Sequence, residues 1–450
     1  MMGPRMSLSP DTPLTPTRSY AAALARLQGT RWQRLSWLYA LCGMVWCALS
    51  VTSMSLVELG CIPVGVAFLV SLDLVWPFFV LLFRQSLMQL LVAWAAWMGL
   101  SLLWTPDLAK GGWEMAGLRF TWTIAALWPL VRYRRWLIYA LCAGFLATNA
   151  SQLALWIGHT LDLPWLSFKP WHPRNAGWWP HPAVCGYMLV AALGLHLPTA
   201  LMGRGWKWPR LFSFLGCAAS VLGMIGTGTR GAWIAGAALV VVVAGVSVAT
   251  GRWSRRTLAI GAVVVAAMLG ATWLAAGDVI TRRAKDGYDE ARAALVERQY
   301  ETDTGARIKF AGWALRMSLE RPLQGHGAGS YEHWTRERLR TQGIDPDTVR
   351  TAPQGHNLWL HAFGTLGIAG LGLAVAIAWA ALRAAAAPVT RETLGTYESG
   401  PFFALVGMIL TTPFDVAYVN SPPSALLAVL FALALLGRAQ REVDDPGNPV

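Results

Sequence analysis

The chain has 450 residues, 55% hydrophobic and 14% charged, with a formal net charge of +13. Soluble domains carry about 25% charged residues, so a soluble globular class is excluded. Twenty-five tryptophans suit side chains placed at membrane interfaces, and the fold class expected is an all-α polytopic membrane protein.

The first stretch, Met1 to Arg34, is rich in Pro, Ser and Thr with scattered arginines. It lacks a compact apolar run followed by a small-residue cleavage site, so residues 1–35 read as a tail rather than a cleaved signal. Apolar runs of about 17–25 residues mark membrane spans. They fall at Ser36–Met54, Gly60–Phe83, Leu87–Trp104, Gly112–Val131, Trp136–Gly158 and Ala183–Met202. The second half adds Leu211–Gly228, Gly231–Ala249, Thr257–Ala276, His356–Leu382, Pro401–Tyr418 and Ser424–Leu436. The expected total is about twelve: nine within 36–276, and three within 356–437.

Arg31 and Arg34 precede the first span. Arg84, the Arg132/Arg134/Arg135 cluster, Arg204, Lys207, Arg210, the Arg252/Arg255/Arg256 cluster, Arg383, Arg391, Arg438 and Arg441 all follow even-numbered spans. The positive-inside rule then puts both termini, including the tail 438–450, in the cytoplasm. Because the charge is divided among short loops between spans, it reads as a topology signal and not as a nucleic-acid surface. All six cysteines lie within or just inside apolar spans without C-x-x-C spacing. Buried free thiols are the expectation, with no metal site and no cofactor.

Two outward loops break the short-loop pattern. "HTLDLPWLSFKPWHPRNAGWWPHP", residues 159–182, mixes Trp and Pro with polar tips, the composition of a re-entrant or interface-lying segment. Residues 277–355 form the longer loop. "TRRAKDGYDEARAALVERQY", "TGARIKFAGWALRMSLERP" and "GSYEHWTRERLRTQG" each read as a helix, the second stopped by Pro322. A loop of this length is functional by expectation but too small for a separate catalytic domain, so it reads as a lid over a site built by the spans.

Three features converge on the outer face. Arg230, in "GTGTRGAW", interrupts an uncharged stretch at the turn between spans seven and eight. Its Gly/Thr neighbours let backbone amides approach an anion, although an arginine there could also snorkel to lipid headgroups. Arg307, in "TDTGARIKF", falls in the first turn of a helix whose N-cap is expected at Thr304. A positive helix end and a planar fork of donors make an anion site; a solvated helix arginine is the plain alternative. His356 opens span ten, where a neutral imidazole can accept a hydroxyl proton or serve as a structural hydrogen-bonding group. Asn357 would orient its ring. His361 lies five residues on, off the i+4 face. Gly364, Gly367 and Gly370 form a smooth face for helix contact. Arg119 with Glu114 in span four reads as an intramembrane pair or as part of the site.

"HNLWLHAFGTLGIAG" resembles the H-[N/S/Q]-x9-G-x2-G pattern of the O-antigen ligase and polymerase superfamily, through His356, Asn357, Gly367 and Gly370. "PLQGHGAGSYEHW" is similar to that family's Gly-rich stretch, and Arg230 and Arg307 fall where the family has its two essential arginines. Arg174 with "WWPHPAVCGY" and Asp415 in "TTPFDVAY" resemble further family segments. The resemblance implies a bacterial inner-membrane O-antigen ligase with a GT-C-like fold and a periplasmic site between spans nine and ten. It implies a glycan donor on undecaprenyl diphosphate and a lipid A–core acceptor. In its terms His356 is the general base, and Arg230 and Arg307 bind the diphosphate. Lys169, Arg174, His181, His326, Arg119 and Asp415 are further candidates for substrate binding, and transfer needs neither ATP nor metal. An O-antigen polymerase or a protein O-oligosaccharyltransferase shares the motif and donor, and stays open. A transporter of lipid-linked glycan is the rival of a different class. It is disfavoured because no internal repeat is found.

Overall fold

The computed structural model describes residues 19–168, 174–204, 207–251, 277–278 and 281–444, and no strand occurs among them. The predicted ninth span and Lys169 lie outside the described residues.

The helices run in chain order as α1 (Tyr20–Arg26), α2 (Trp32–Leu49), α3 (Met54–Val70), α4 (Leu72–Leu82), α5 (Ser86–Ser101), α6 (Leu108–Ala116), α7 (Trp122–Leu127) and α8 (Arg134–Thr160). They continue as α9 (Pro182–Met202), α10 (Trp208–Thr227), α11 (Arg230–Ala249), α12 (residues 281–296), α13 (Asp303–Glu320), α14 (Ser330–Thr341), α15 (Leu358–Ala386), α16 (Gly400–Thr411) and α17 (Ser421–Asp444). Among the described residues six helical stretches are long and apolar enough to cross a bilayer: 108–160, 182–202, 208–227, 230–249, 358–386 and 422–444. The stretch 108–160 covers two of the spans read from the sequence. The α3–α4 pair, bent by 102° at Ser71, adds a seventh if it is counted as one span. The helices α2, α5 and α16 match the remaining predicted spans but do not meet that length and hydropathy.

α9 is the central post. It is apolar on every side, as a helix surrounded by other helices must be, and nearly all of its side chains are buried. α10, α11 and α16 pack around it. The α9–α16 approach is set by Gly194, where an added Cβ would come 2.5 Å from the Phe403 carbonyl oxygen. The helices at the perimeter present Leu59, Ile62, Val66, Trp136, Val241 and Trp379 outward, the apolar surface expected of a helix bundle that faces lipid.

The two ends of the bundle are tied differently. At one end the Tyr20 backbone N–H donates to Glu442 Oε1 at 2.7 Å, joining the first helix to the last. Buried Arg134 pairs there with Glu398, and its Nε donates to the Leu433 carbonyl at 3.0 Å. This arginine of the basic cluster is therefore a packing element. At the other end α12, α13 and α14, the three helices expected in the long loop, fold back over the spans.

α15 is broken. Gly367 has φ +69° and ψ −167° inside it, a conformation that L residues with a Cβ avoid. The carbonyls released by the break accept from His326 N–H (Gly364 O, 3.1 Å) and Gly327 N–H (Thr365 O, 2.8 Å), while Ile368 N–H donates to the Pro322 carbonyl at 2.8 Å. The Gly-rich stretch thus restores the backbone hydrogen bonds the break removed. The sequence reading gave Gly367 a place on a smooth helix face; here its role is to interrupt the helix.

Candidate functional site

A cavity of about 550 Å³ opens where α11, α12, α13 and the start of α15 meet. Arg174, Arg230, Arg283, Arg307, Asp303 and His356 all line it, which brings together the three principal candidates from the sequence.

Arg230 is the first residue of α11, directly after a tight turn. Gly228 ends α10 with φ +61°, and Thr227 to Thr229 carry the chain into the next span. The Arg230 side chain is about one-fifth exposed, and its Nη2 donates to Glu290 Oε2 at 2.7 Å. Arg174 braces the same turn, with Nε donating to the Thr227 carbonyl (2.9 Å) and Nη2 to Thr229 Oγ1 (3.1 Å). The loop before α9 holds Arg174 there. Asn175 N–H donates to the Gly226 carbonyl at 2.7 Å, and Asn175 Nδ2 donates to the Gln152 carbonyl at 2.7 Å.

Arg307 lies in the first turns of α13, as expected, but the N-cap is Thr302 and not Thr304. Thr302 Oγ1 accepts from Gly305 N–H at 3.1 Å, and Asp303 is the first helical residue. Thr304 N–H instead donates to Glu290 Oε2 at 3.0 Å. Arg307 Nη1 donates to the Tyr187 hydroxyl at 3.1 Å, so α9 aims the guanidinium.

His356 has φ +49°. A non-glycine residue held in the left-handed region stores about 1–3 kcal/mol, a strain that clusters at functional sites. Its ring stacks on Phe310 at 5.7 Å between centroids. Nδ1 is buried, makes no hydrogen bond, and faces Asp415 Oδ1 at 3.7 Å. Asp415 is itself fixed, accepting from Val416 N–H (2.8 Å) and Gln354 Nε2 (3.2 Å). Asn357 does not orient the ring as expected. Its Oδ1 accepts from Leu360 N–H at 3.1 Å to cap α15, and its Nδ2 reaches the Pro413 carbonyl at 3.4 Å. Capping is what an asparagine at a helix start does best, and the neighbour on the imidazole is Asp415.

Behind this face lies a buried network. Glu114 accepts from the Tyr418 hydroxyl (2.7 Å) and Gly329 N–H (2.6 Å), and lies 3.3 Å from His361 Nε2. Gly355 N–H donates to His361 Nδ1 at 3.4 Å, which leaves Nε2 to carry the proton toward Glu114. Tyr418 and His361 sit three and five residues after Asp415 and His356, so one carboxylate anchors both arms of the His356–Asp415 pair. The intramembrane pairing of Arg119 with Glu114 is corrected accordingly: Arg119 pairs with Glu58 and does not line the cavity.

His181 caps α9, its Nδ1 accepting from Ala183 N–H at 3.3 Å. Burial, then the Arg174 charge, push its proton affinity below the ordinary value. His326 Nε2 lies 3.1 Å from the Met317 carbonyl and also falls outside the cavity lining. Burial, then the like charge of Arg283, lower the proton affinity of Arg174, the mark of crowded cations. Burial opposes ionisation of Asp303, yet Arg350 at 3.0 Å holds its carboxyl below the usual range.

Arg283 and Glu290, both on α12, were missed in the sequence. In "TRRAKDGYDEARAAL" charged residues fall on every side, and only the docked helix tells those facing the cavity from those facing water. Tyr187 and Phe310 were equally silent, being aromatic residues in apolar or amphipathic runs.

Chemically, the cavity concentrates four guanidinium groups. Arg230 is neutralised by Glu290, and Asp303 is committed to Arg350. Arg174, Arg283 and Arg307 make no ion pair among the described residues. The site is therefore suited to a polyanion and carries an imidazole at its edge. Residues 215–375 match the family model described as O-Antigen ligase. That segment contains Arg230, Arg307 and His356. No curated protein matches the chain.

Proposed function

We propose, from the O-antigen ligase family segment at 215–375, that the chain is an inner-membrane glycosyltransferase. It moves a glycan from undecaprenyl diphosphate to a sugar hydroxyl of lipid A–core. The observation that carries this reading is one cavity lined by Arg174, Arg230, Arg283, Arg307 and His356. A diphosphate diester has two negative charges, fewer than the three positive charges of Arg174, Arg283 and Arg307, so the site is cationic enough to hold it.

In the reaction the acceptor oxygen attacks the anomeric carbon as the bond to the diphosphate oxygen breaks, with inversion in a single displacement. His356 takes the hydroxyl proton. With Nδ1–H turned to Asp415, the Nε2 lone pair is free for the acceptor. The 3.7 Å separation is of the kind that closes to a hydrogen bond once substrate is bound. Arg307 and Arg230 stabilise charge on the departing diphosphate, using a planar fork that lysine lacks. The cavity lies on the outer face by the arginine distribution, with both termini cytoplasmic. About twelve spans and a GT-C-like arrangement belong to the same reading, as do Lys169, Arg174 and His181 as additional contacts to the substrate.

The test is a cell-free assay of the purified chain with undecaprenyl-diphosphate glycan and lipid A–core, without ATP or added metal. Glycan on lipid A–core is the expected product. Elongation of the donor alone would make the chain a polymerase, and no transfer in either direction would return it to the transporter reading.

A further inference from the structure

Glu290 occupies the place an anion should have. Its Oε2 accepts from Arg230 Nη2 at 2.7 Å and from Thr304 N–H, in the first turn of α13, at 3.0 Å. One carboxylate oxygen thus takes a donor from each of the two anion-binding features read from the sequence, the span-eight arginine and the start of the Arg307 helix. The pair is about four-fifths buried on both sides. The Thr304 side chain also hydrogen-bonds Glu290, and Arg230 Nη1 reaches the Arg283 carbonyl at 3.4 Å. Both Glu290 and the Arg283 carbonyl belong to α12, so the helix that covers the cavity is fastened to the arginine beneath it.

We propose that Glu290 is a resident counter-ion in a phosphate subsite formed by Arg230 and Thr304 N–H, and that the diphosphate of the lipid-linked donor displaces it. This deepens the donor reading given above and rests on it. Arg230 near the hydrocarbon would be costly with no partner, and Glu290 supplies one while the site is empty. A phosphate oxygen has the same donors to meet, with more charge and more acceptor oxygens than a carboxylate. The exchange frees α12 from Arg230 only when an anion of the right size is present. It also brings Arg283, on the same helix, to bear on the ligand. Asp303 lines the same cavity but pairs with Arg350, and its carboxylate accepts from neither Arg230 nor Thr304 N–H, so it is the internal control.

The experiment uses the full chain in nanodiscs, with inorganic pyrophosphate as the probe. Binding is read by tryptophan fluorescence, since Trp233 lines the cavity, or by calorimetry. Glu290→Gln should bind pyrophosphate about tenfold more tightly than wild type, the scale of one charge-assisted hydrogen bond no longer in competition. Asp303→Asn, which changes net charge by the same amount, should gain less than about threefold by long-range attraction alone. Equal gains in the two variants would reduce the effect to net charge and overturn the exchange. Unchanged or weaker binding in Glu290→Gln would make Glu290 a group that holds Arg230 in its working position, which also overturns it, as would failure of the wild type to bind pyrophosphate. Glycan transfer, measured in parallel on wild type, tests the donor reading separately: a protein that transfers glycan without the affinity gain keeps its function and loses this inference.

Discussion

His356 and Asp415 set the residue-scale expectations. A general base contributes about 10²–10⁴-fold, so His356→Ala should lose transfer by that factor while retaining donor binding; transfer within about threefold of wild type would remove the base assignment. Asp415→Asn keeps the shape of the side chain but not its charge, and should lower turnover with little change in donor affinity. A loss confined to donor affinity would place Asp415 on the substrate instead. For Arg230 and Arg307, lysine keeps the charge and loses the fork. Each Arg→Lys variant should fall roughly a hundredfold in rate, about 3 kcal/mol of transition-state stabilisation. Turnover at the wild-type level would mean that headgroup contact or packing, and not diphosphate binding, explains these residues. Glu114 makes a stability claim. Glu114→Ala strands the Tyr418 hydroxyl, the Gly329 N–H and His361 in a buried site, at about 3 kcal/mol or more. Thermal unfolding in detergent should register a drop of several degrees, and an unshifted midpoint would count against the network.

At the scale of elements, the break in α15 and the lid are one construction. Gly367 cannot carry a side chain, because an added Cβ would sit 2.3 Å from the Leu323 carbonyl oxygen at a φ reserved for glycine. Gly367→Ala should therefore cost at least about 2 kcal/mol and loosen the stretch from Pro322 to Gly329. Gly372, further along α15, has open space at its Cβ, and Gly372→Ala should be neutral or slightly stabilising. Comparing the two variants by unfolding temperature and by proteolysis of the lid separates a specific requirement from a general intolerance of larger residues. Equal stability in both would show that the break is not needed.

On the scale of the whole molecule, the arrangement stands or falls on orientation. Gln342, after α14, and Glu392, before α16, are both exposed; the first belongs to the cavity end of the bundle and the second to the end where Tyr20 meets Glu442. Gln342→Cys should react with a membrane-impermeant thiol reagent in intact spheroplasts, and Glu392→Cys only after permeabilisation. The natural thiols, four buried and two half-buried, give a low background to subtract. The opposite labelling pattern would put the cavity in the cytoplasm, where a reaction with an outer-leaflet acceptor could not occur.

Class, the approximate places of the apolar helices, and the three helices of the long loop were legible in the sequence. Each follows from local rules: a run of apolar residues long enough for a bilayer, or a 3.6-residue alternation ended by proline or glycine. Arg230 and His356 stood out for a related reason, since a charged or ionisable group at the mouth of an apolar run is conspicuous, and Arg307 because it falls in the first turn of a helix. The tertiary structure decided the partners. Asp415 meets His356 across a gap of 59 residues, Glu290 meets Arg230 across 60, and Glu114 meets His361 across 247. Each pairing depends on which helices pack together, and no local pattern encodes that. The same reason explains the displaced readings of Asn357, Thr304, Arg119 and Gly367. Their residue types were read for the nearest plausible local role, and the role was taken over by whatever backbone or side chain the fold brought alongside.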